Sequence, residues 1–273
     1  FDGSTYVVSL NSTYLSISGD DNVDHRYYRV WIYASYREIT YMMYETGAAE
    51  LNMSFLLNFS GCSDLWNRNI TLHIRIEDPC GNRLCVEAPI YVDTQPPEIQ
   101  VWSSVANDTA TNSNVTVRWA VSDVCPVNVS VLLFGPVEMA SSSAVGNFSV
   151  GEEGYYEFAV YACDVMGNTN IYSLVFLIDK TPPMIYFGNP YGDETWASSR
   201  AMNISFCVSD NFGSLAVNLT VKSAEGTPIG SYFWATNSCA LERSVLYVFP
   251  GDGLYVIMLY ASDSAGNMNV ATR

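Results

Sequence analysis

The sequence is short of basic side chains. Its 273 residues include 12 lysines and arginines against 28 aspartates and glutamates, for a net charge of −16. Lys180 and Lys222 are the only lysines. An acidic surplus of this size repels phosphate, which argues against nucleic acids and anionic membrane surfaces as partners.

The chain also lacks the usual signatures of metalloenzymes and membrane spans. It has two histidines (His25 and His73), no C-x-x-C pair, no G-x-S-x-G or P-loop motif and no run of 18 apolar residues. A zinc site and a membrane-spanning segment are therefore not expected. Because no nucleophile, base or metal cluster stands out, we expect a protein without catalytic activity.

The most frequent local pattern is Asn-x-Ser/Thr, the acceptor of N-linked sugars. Composition alone predicts roughly 3.5 matches. The ten asparagines found are Asn11, Asn52, Asn58, Asn69, Asn107, Asn114, Asn128, Asn147, Asn203 and Asn218. In eight triplets the middle residue is apolar, which on a strand points inward while Asn and the hydroxyl face water. Amphipathic strands generate some such triplets by themselves, but Asn is disfavoured in strands, so we predict glycosylation at several sites.

Seven cysteines agree with an oxidising, extracellular setting. Spacing along the chain suggests three disulfides. The predicted pairs are Cys80 with Cys85, Cys125 with Cys163, and Cys207 with Cys239. Cys62 is left over, either as a free thiol or bonded to another chain.

One signature, D-x-x-G-N, recurs three times, at residues 78–82, 164–168 and 263–267. Each copy follows a strand-like run in which apolar and polar residues alternate. Eleven residues after Asn82 and Asn168 come two similar segments, Asp93–Ile99 and Asp179–Ile185, each with a Pro-Pro pair. A diproline is stiff and stops a sheet, so we predict joints between domains 1–94, 95–180 and 181–273.

The spacing of turns predicts about seven short strands in each repeat, and no helical period is sustained. Tyr156 and Tyr255 each lie eight residues before the Asp of a D-x-x-G-N turn, after a glycine-rich corner. That position is typical of a tyrosine corner. The predicted fold is all-β, with three tandem immunoglobulin-like antiparallel sandwiches that form a rod.

The combination G-x-Y…A-x-D-x-x-G-N followed by D-x-T-P-P-x-I resembles the tandem immunoglobulin-like domains of cell-surface proteins from prokaryotes, both archaea and bacteria. The resemblance covers residues 95–267 well and 60–95 partly, whereas 1–60 have no matching motif and Ile70 replaces the corner tyrosine. It implies the stalk of an adhesin, surface-layer protein or secreted enzyme, and no particular molecular partner.

In such a sandwich two loops and the incoming chain share one end. That arrangement would gather Asp93, Asp123 and Asp164 at the first joint, and Asp179, Asp210 and Asp263 at the second. Three carboxylates with backbone carbonyls suit Ca²⁺. Aspartates beside turns also cap local N–H groups, and the dense D-x-D-x-[DN] ligand spacing is absent, so both interpretations stay open here.

The third repeat is short, since six residues follow Asn267, whereas the Asp that opens each earlier joint is the eleventh residue after Asn82 and Asn168. Either the polypeptide is longer, or a neighbour donates a strand, for which Ser4–Leu10 is a candidate.

The sequence therefore predicts an extracellular, glycosylated structural protein of a surface layer or filament, which associates with itself or with neighbouring surface proteins. The alternatives are the stalk of an adhesin or receptor and the accessory region of a secreted hydrolase.

Overall fold

The computed structural model of this chain is built almost wholly of β-strands. It describes residues 6–8, 13–18, 28–48, 52–190, 192–193 and 195–273. Their buried apolar side chains form three separate cores. Among the described residues, no helical segment combines the length and the apolar composition that crossing a bilayer requires.

The first sandwich packs a five-stranded sheet, in the order β1-β7-β6-β3-β4, against the pair β2-β5. Its elements are β1 (Tyr6–Val8), β2 (Thr13–Ser18), β3 (Tyr28–Tyr36), β4 (Ile39–Ala48), β5 (Asn52–Leu57), the 3₁₀ helix Ser63–Leu65, β6 (Asn69–Glu77) and β7 (Arg83–Val92). In β6 the side chains of Ile70, Leu72, Ile74 and Ile76 are buried and those between them are not, as the alternation predicts.

The second sandwich packs the sheet β13-β10-β8 against the sheet β12-β11-β14-β15-β9. Its strands are β8 (Glu98–Ser103), β9 (Thr109–Thr111), β10 (Val115–Ser122), β11 (Val127–Phe134), β12 (Met139–Ser141), β13 (Val145–Val150), β14 (Gly154–Asp164) and β15 (Thr169–Ile178). Trp119, which is fully buried, packs against Phe148 and Phe158 at the centre of this core.

The third sandwich packs the sheet β16-β17-β20 against the sheet β19-β18-β21-β22. Its strands are β16 (Met184–Asn189), β17 (Ala201–Ser209), β18 (Leu215–Ser223), β19 (Pro228–Thr236), β20 (Ala240–Val248), β21 (Tyr255–Asp263) and β22 (Met268–Thr272). The predicted all-β class with antiparallel sandwiches is therefore confirmed, while the exact domain boundaries and the rod remain predictions.

Both predicted tyrosine corners form. The hydroxyl of Tyr156 donates to the carbonyl of Glu152 at 3.1 Å, and that of Tyr255 donates to the carbonyl of Gly251 at 2.8 Å. The equivalent position in the first sandwich, Ile70, is a buried apolar residue. The corners fasten the loop before β14 and β21 to the strand that follows it.

The proposed donor segment is already engaged within its own sandwich. Its middle, β1, pairs in parallel with Ile90–Val92 of β7. In the second sandwich β9 pairs with β15 in the same way. A donated Ser4–Leu10 strand would have to leave this ladder first, so the structure lends no support to donation. The remaining residues of that run lie outside the described ranges.

Candidate functional site at the two joints

The three D-x-x-G-N turns share one hydrogen-bonded clamp. In the second, Oδ1 of Asp164 accepts from the backbone N–H of Asn168 at 2.9 Å, and Oδ2 accepts from its side-chain amide at 2.8 Å. The same pair of bonds closes the turns at residues 78–82 and 263–267. The glycines have φ between 88° and 90°, which explains their recurrence. Turn capping is thus confirmed for these aspartates.

Each joint is fastened to the sandwich before it. At the first joint (residues 93–97) the side-chain oxygen of Asn67 accepts from the N–H and the hydroxyl of Thr94. At the second joint (residues 179–183) Glu153 accepts from the backbone N–H of Lys180 at 2.6 Å and from the hydroxyl of Thr181. The ammonium group of Lys180 donates to neutral oxygens of the second sandwich.

Each joint is also held by the hairpin of the sandwich after it. The amide of Asn170 donates to the carbonyl of Pro97 at 2.9 Å, and the amide of Asn269 donates to the carbonyl of Pro183 at 2.8 Å. At the second joint Asn267 donates to the carbonyl of Asp179 as well. We did not predict these contacts from the sequence. A signal was present, since the spacing N-x-N occurs in both later repeats, where a joint precedes the sandwich, and not after Asn82.

The second joint brings together all three aspartates predicted there. Single carboxylate oxygens of Asp179, Asp210 and Asp263 lie within 4.8 Å of one another. Asp179 is completely buried, and its Oδ2 has no hydrogen-bond partner. Both oxygens of Asp210 are likewise buried without a well-formed hydrogen bond. Burial without partners is costly for a carboxylate, so this cluster has the chemistry of a cation site.

The electrostatics of this cluster follow from burial and mutual repulsion. Burial raises the pKa of Asp179 to about 6, and the neighbouring carboxylates of Asp210 and Asp263 add to the rise. Burial also raises the pKa of Asp210, although the nearby backbone amide of Asn211 offsets part of it. Two unit charges within this distance repel each other by at least about 3.5 kcal/mol at an effective dielectric constant of 20. A bound cation would remove that cost.

The first joint is assembled differently. The group within 4.8 Å consists of Asp93, Asp123 and the thiol of Cys125. The predicted third carboxylate, Asp164, does not belong to it. The buried thiol donates to Oδ2 of Asp93 at 2.9 Å, and burial together with this bond raises the pKa of Cys125 to about 12.

Seven of the eight acceptor asparagines whose side chains are described are exposed, and Asn218 is half-buried. The apolar middle residues point inward: Phe59, Ile70, Val115, Val129, Ile204 and Leu219 are buried, and Met53 and Phe148 are half-buried. Asn11 and the side chain of Asn52 lie outside the described ranges. Glycosylation at these ten positions stays a prediction.

None of the seven cysteines, all of which the structure describes, forms a disulfide bond. Cys80, Cys85 and Cys239 are exposed, while Cys207 is half-buried and Cys163 directs its thiol to the carbonyl of Asp164. Cys62, which had no assigned partner, is buried, and burial raises the pKa of its thiol. The three disulfide pairs stay predictions.

A serine, a histidine and a glutamate that we did not connect from the sequence meet on the outer face of the first sandwich. Oγ of Ser35 lies 2.7 Å from Nε2 of His73, whose Nδ1 lies 3.2 Å from Oε1 of Glu87. This order resembles a nucleophile, its base and an orienting carboxylate. Tyr33 stacks on the imidazole, however, and Glu87 is 69% exposed. His73 pairs across the sheet with Tyr33 and with Glu87, and Ser35 lies two residues beyond Tyr33 on the same face. Strand periodicity indicates the shared face but not the register.

No protein-family profile matches this chain, and no curated protein matches it. Among solved structures it is similar to the tetra-tandem repeat in the extending region of a large adhesion protein, with 18% identity and a TM-score of 0.41 over 97% of this chain and 72% of that one. It is also similar to a structure from a 1.5-MDa bacterial ice-binding adhesin studied for host cell surface retention, with 13% identity and a TM-score of 0.39 over 97% and 91%. Dimeric latent PorU from Porphyromonas gingivalis is similar with 14% identity and a TM-score of 0.25 over 98% and 32%.

Proposed function

We propose that this chain is a non-catalytic, extracellular stalk segment that holds other parts of a cell-surface protein at a distance. The observation that carries the proposal is the double fastening of both joints. At each joint, side chains of the sandwich before it hold the linker, and the hairpin of the sandwich after it binds a proline carbonyl. Linkers bonded on both sides resist bending, which a spacer needs.

Calcium is the proposed cofactor of the second joint. The ion would be held by Asp179, Asp210 and Asp263. One carboxylate oxygen of Asp179 and both of Asp210 are buried without a hydrogen-bond partner. Hard, oxygen-seeking Ca²⁺ suits a set made only of carboxylates. When bound, the ion neutralises the charges that repel one another and links the joint to two loops of the third sandwich.

A stalk agrees better with the contacts than the surface layer or filament that the sequence favoured. A filament built by strand donation needs a free donor, and the middle of the candidate donor is paired within its own sheet. The names of the two adhesin structures described above are compatible with a stalk, but the proposal is based on the contacts at the two joints. N-linked sugars and the acidic surplus would keep such a stalk hydrated.

Small-angle X-ray scattering in calcium buffer tests the proposal. A compact globule of this length would have a radius of gyration of about 19 Å, whereas three sandwiches in line would exceed about 28 Å. We expect a monomer in the larger range. A compact particle would contradict the stalk, and higher-order assembly in electron micrographs would favour the surface layer or filament.

A further inference from the structure

The two joints have corresponding aspartates but differ at one neighbouring position. Asp93 corresponds to Asp179, since each opens a joint, and Asp123 corresponds to Asp210, since each ends a Val-Ser-Asp run. Two residues after the second aspartate stands Cys125 in the second sandwich, and Phe212 in the third.

At the first joint the cysteine satisfies the buried carboxylate. Asp93 is almost completely buried, but both of its oxygens have donors: Oδ1 accepts from the N–H of Gln95 at 3.1 Å, and Oδ2 accepts from the thiol of Cys125 at 2.9 Å. Cys125 also donates its backbone N–H to Asp123 at 3.0 Å. The buried thiol keeps its proton, so it remains a donor.

At the second joint the phenylalanine cannot play this part. Its ring packs edge-on against Tyr155 of the second sandwich, with 5.8 Å between ring centroids. Asp179 accepts from the N–H of Thr181 at one oxygen, and the other oxygen is buried without a partner. Both carboxylate oxygens of Asp210 are also buried without a hydrogen-bond partner.

We propose that, of the two joints, only the second binds a divalent cation, because the thiol of Cys125 occupies at the first joint the place that the cation takes at the second. This inference rests on the proposed calcium site and assigns its number and position. Hydrogen bonds then hold the first joint by themselves, whereas at the second joint they act against the repulsion between carboxylates, which calcium would remove. When calcium is withdrawn, a stalk of this design becomes easier to bend at the second joint than at the first.

Isothermal titration with CaCl₂ in reducing buffer tests this assignment. We expect one ion per wild-type chain, none for Asp210→Asn, and two for Cys125→Ala, in which Asp93 loses its donor. Cys125→Ser is the matched control: its hydroxyl still donates, so the count stays at one. Two ions in the wild type, or one ion in Cys125→Ala, would overturn the assignment.

The reverse exchange keeps the test informative if Asp210→Asn fails to fold. Phe212→Cys puts a thiol beside Asp179, and we expect its Kd for calcium to rise about fivefold or more, since the ion must then displace a hydrogen bond. An unchanged Kd would contradict the role of the thiol. A wild-type chain that binds no calcium would overturn the cation site but leave an extended scattering profile, and with it the stalk, intact.

Discussion

At the scale of single residues, the most informative side chains are the buried aspartates. Asp93 and Asp179 occupy equivalent positions and are equally inaccessible, yet only the first has a donor at each oxygen. A buried carboxylate without a partner costs free energy. A natural chain keeps such a residue where a ligand repays the cost, which is why the second joint stands out as a binding site.

The raised pKa of Asp179 predicts how stability depends on pH when calcium is absent. Its pKa is about 6 when folded, against 3.8 as the ordinary value, so the folded chain binds more protons between these two. The resulting stabilisation is complete below the lower value and is lost as pH rises through about 6. In calcium-free buffer, the melting temperature of the third sandwich should therefore fall as the pH rises from about 4 to about 6 and level off above that.

The control for this prediction is Asp179→Asn, which removes the titrating group and should flatten the dependence. Calcium added at neutral pH to the wild type should restore the lost stability. If the variant shows the same slope as the wild type, Asp179 does not have the environment described.

Ser35 provides a second test at this scale. We expect Ser35→Ala to leave the hydrolysis of p-nitrophenyl acetate at the rate of the wild-type chain. Ser35 lies in β3 between β4 and β6, so its backbone belongs to sheet ladders and is not available to stabilise an oxyanion. A fall in rate for Ser35→Ala and also for His73→Ala would show that the triplet is catalytic and would contradict the non-enzymatic proposal.

At the scale of elements, the hairpin with its corner is the unit from which the later sandwiches are built. In the second sandwich it comprises the corner of Tyr156, strand β14, the clamped turn and strand β15, whose Asn170 holds the joint. The third sandwich repeats this order with Tyr255 and Asn269. One continuous stretch of sequence therefore contributes both to the core and to the hydrogen bonds that hold the joint.

The corner can be tested by removing one hydroxyl. Tyr156→Phe should lower the local free energy of unfolding by about 1 kcal/mol, because the buried ring stays and the bond to Glu152 is lost. Hydrogen exchange of the β14 amides measures this change. Tyr155→Phe is the matched control, since that side chain is exposed, and it should change exchange by no more than about 0.5 kcal/mol. Equal effects of both variants would contradict the corner.

The elements show what the sequence could and could not predict. Alternation and the D-x-x-G-N signature predicted hairpins and the inward middle residues of the acceptor triplets, because strand period and turn chemistry are local properties. The three aspartates of the second joint were also placed together correctly. The substitution of Cys125 for Asp164 in the first cluster was not foreseen, because a thiol bonded across a joint depends on the packing of two sandwiches.

At the scale of the whole molecule, the acidic surplus and the two joints together determine how the sandwiches are held relative to one another. A net charge of −16 over the surface keeps the sandwiches apart, while hydrogen bonds hold the linker at both joints. No cation is needed at the first joint, because the buried carboxylate of Asp93 has a donor at each oxygen. At the second joint three carboxylates add their repulsion to this tendency. Calcium there would decide whether the second and third sandwiches stay in a fixed relation.

The most direct test of this account is the spread of distances across the second joint. Nitroxide-bearing unnatural amino acids at the exposed positions Ser142 and Glu225 would label the second and third sandwiches without using the native cysteines. Pulsed electron paramagnetic resonance then gives the distance distribution with calcium and with chelator. We predict one narrow distribution in calcium that broadens about twofold or more in chelator. Equal widths in both buffers would contradict a calcium-stiffened stalk.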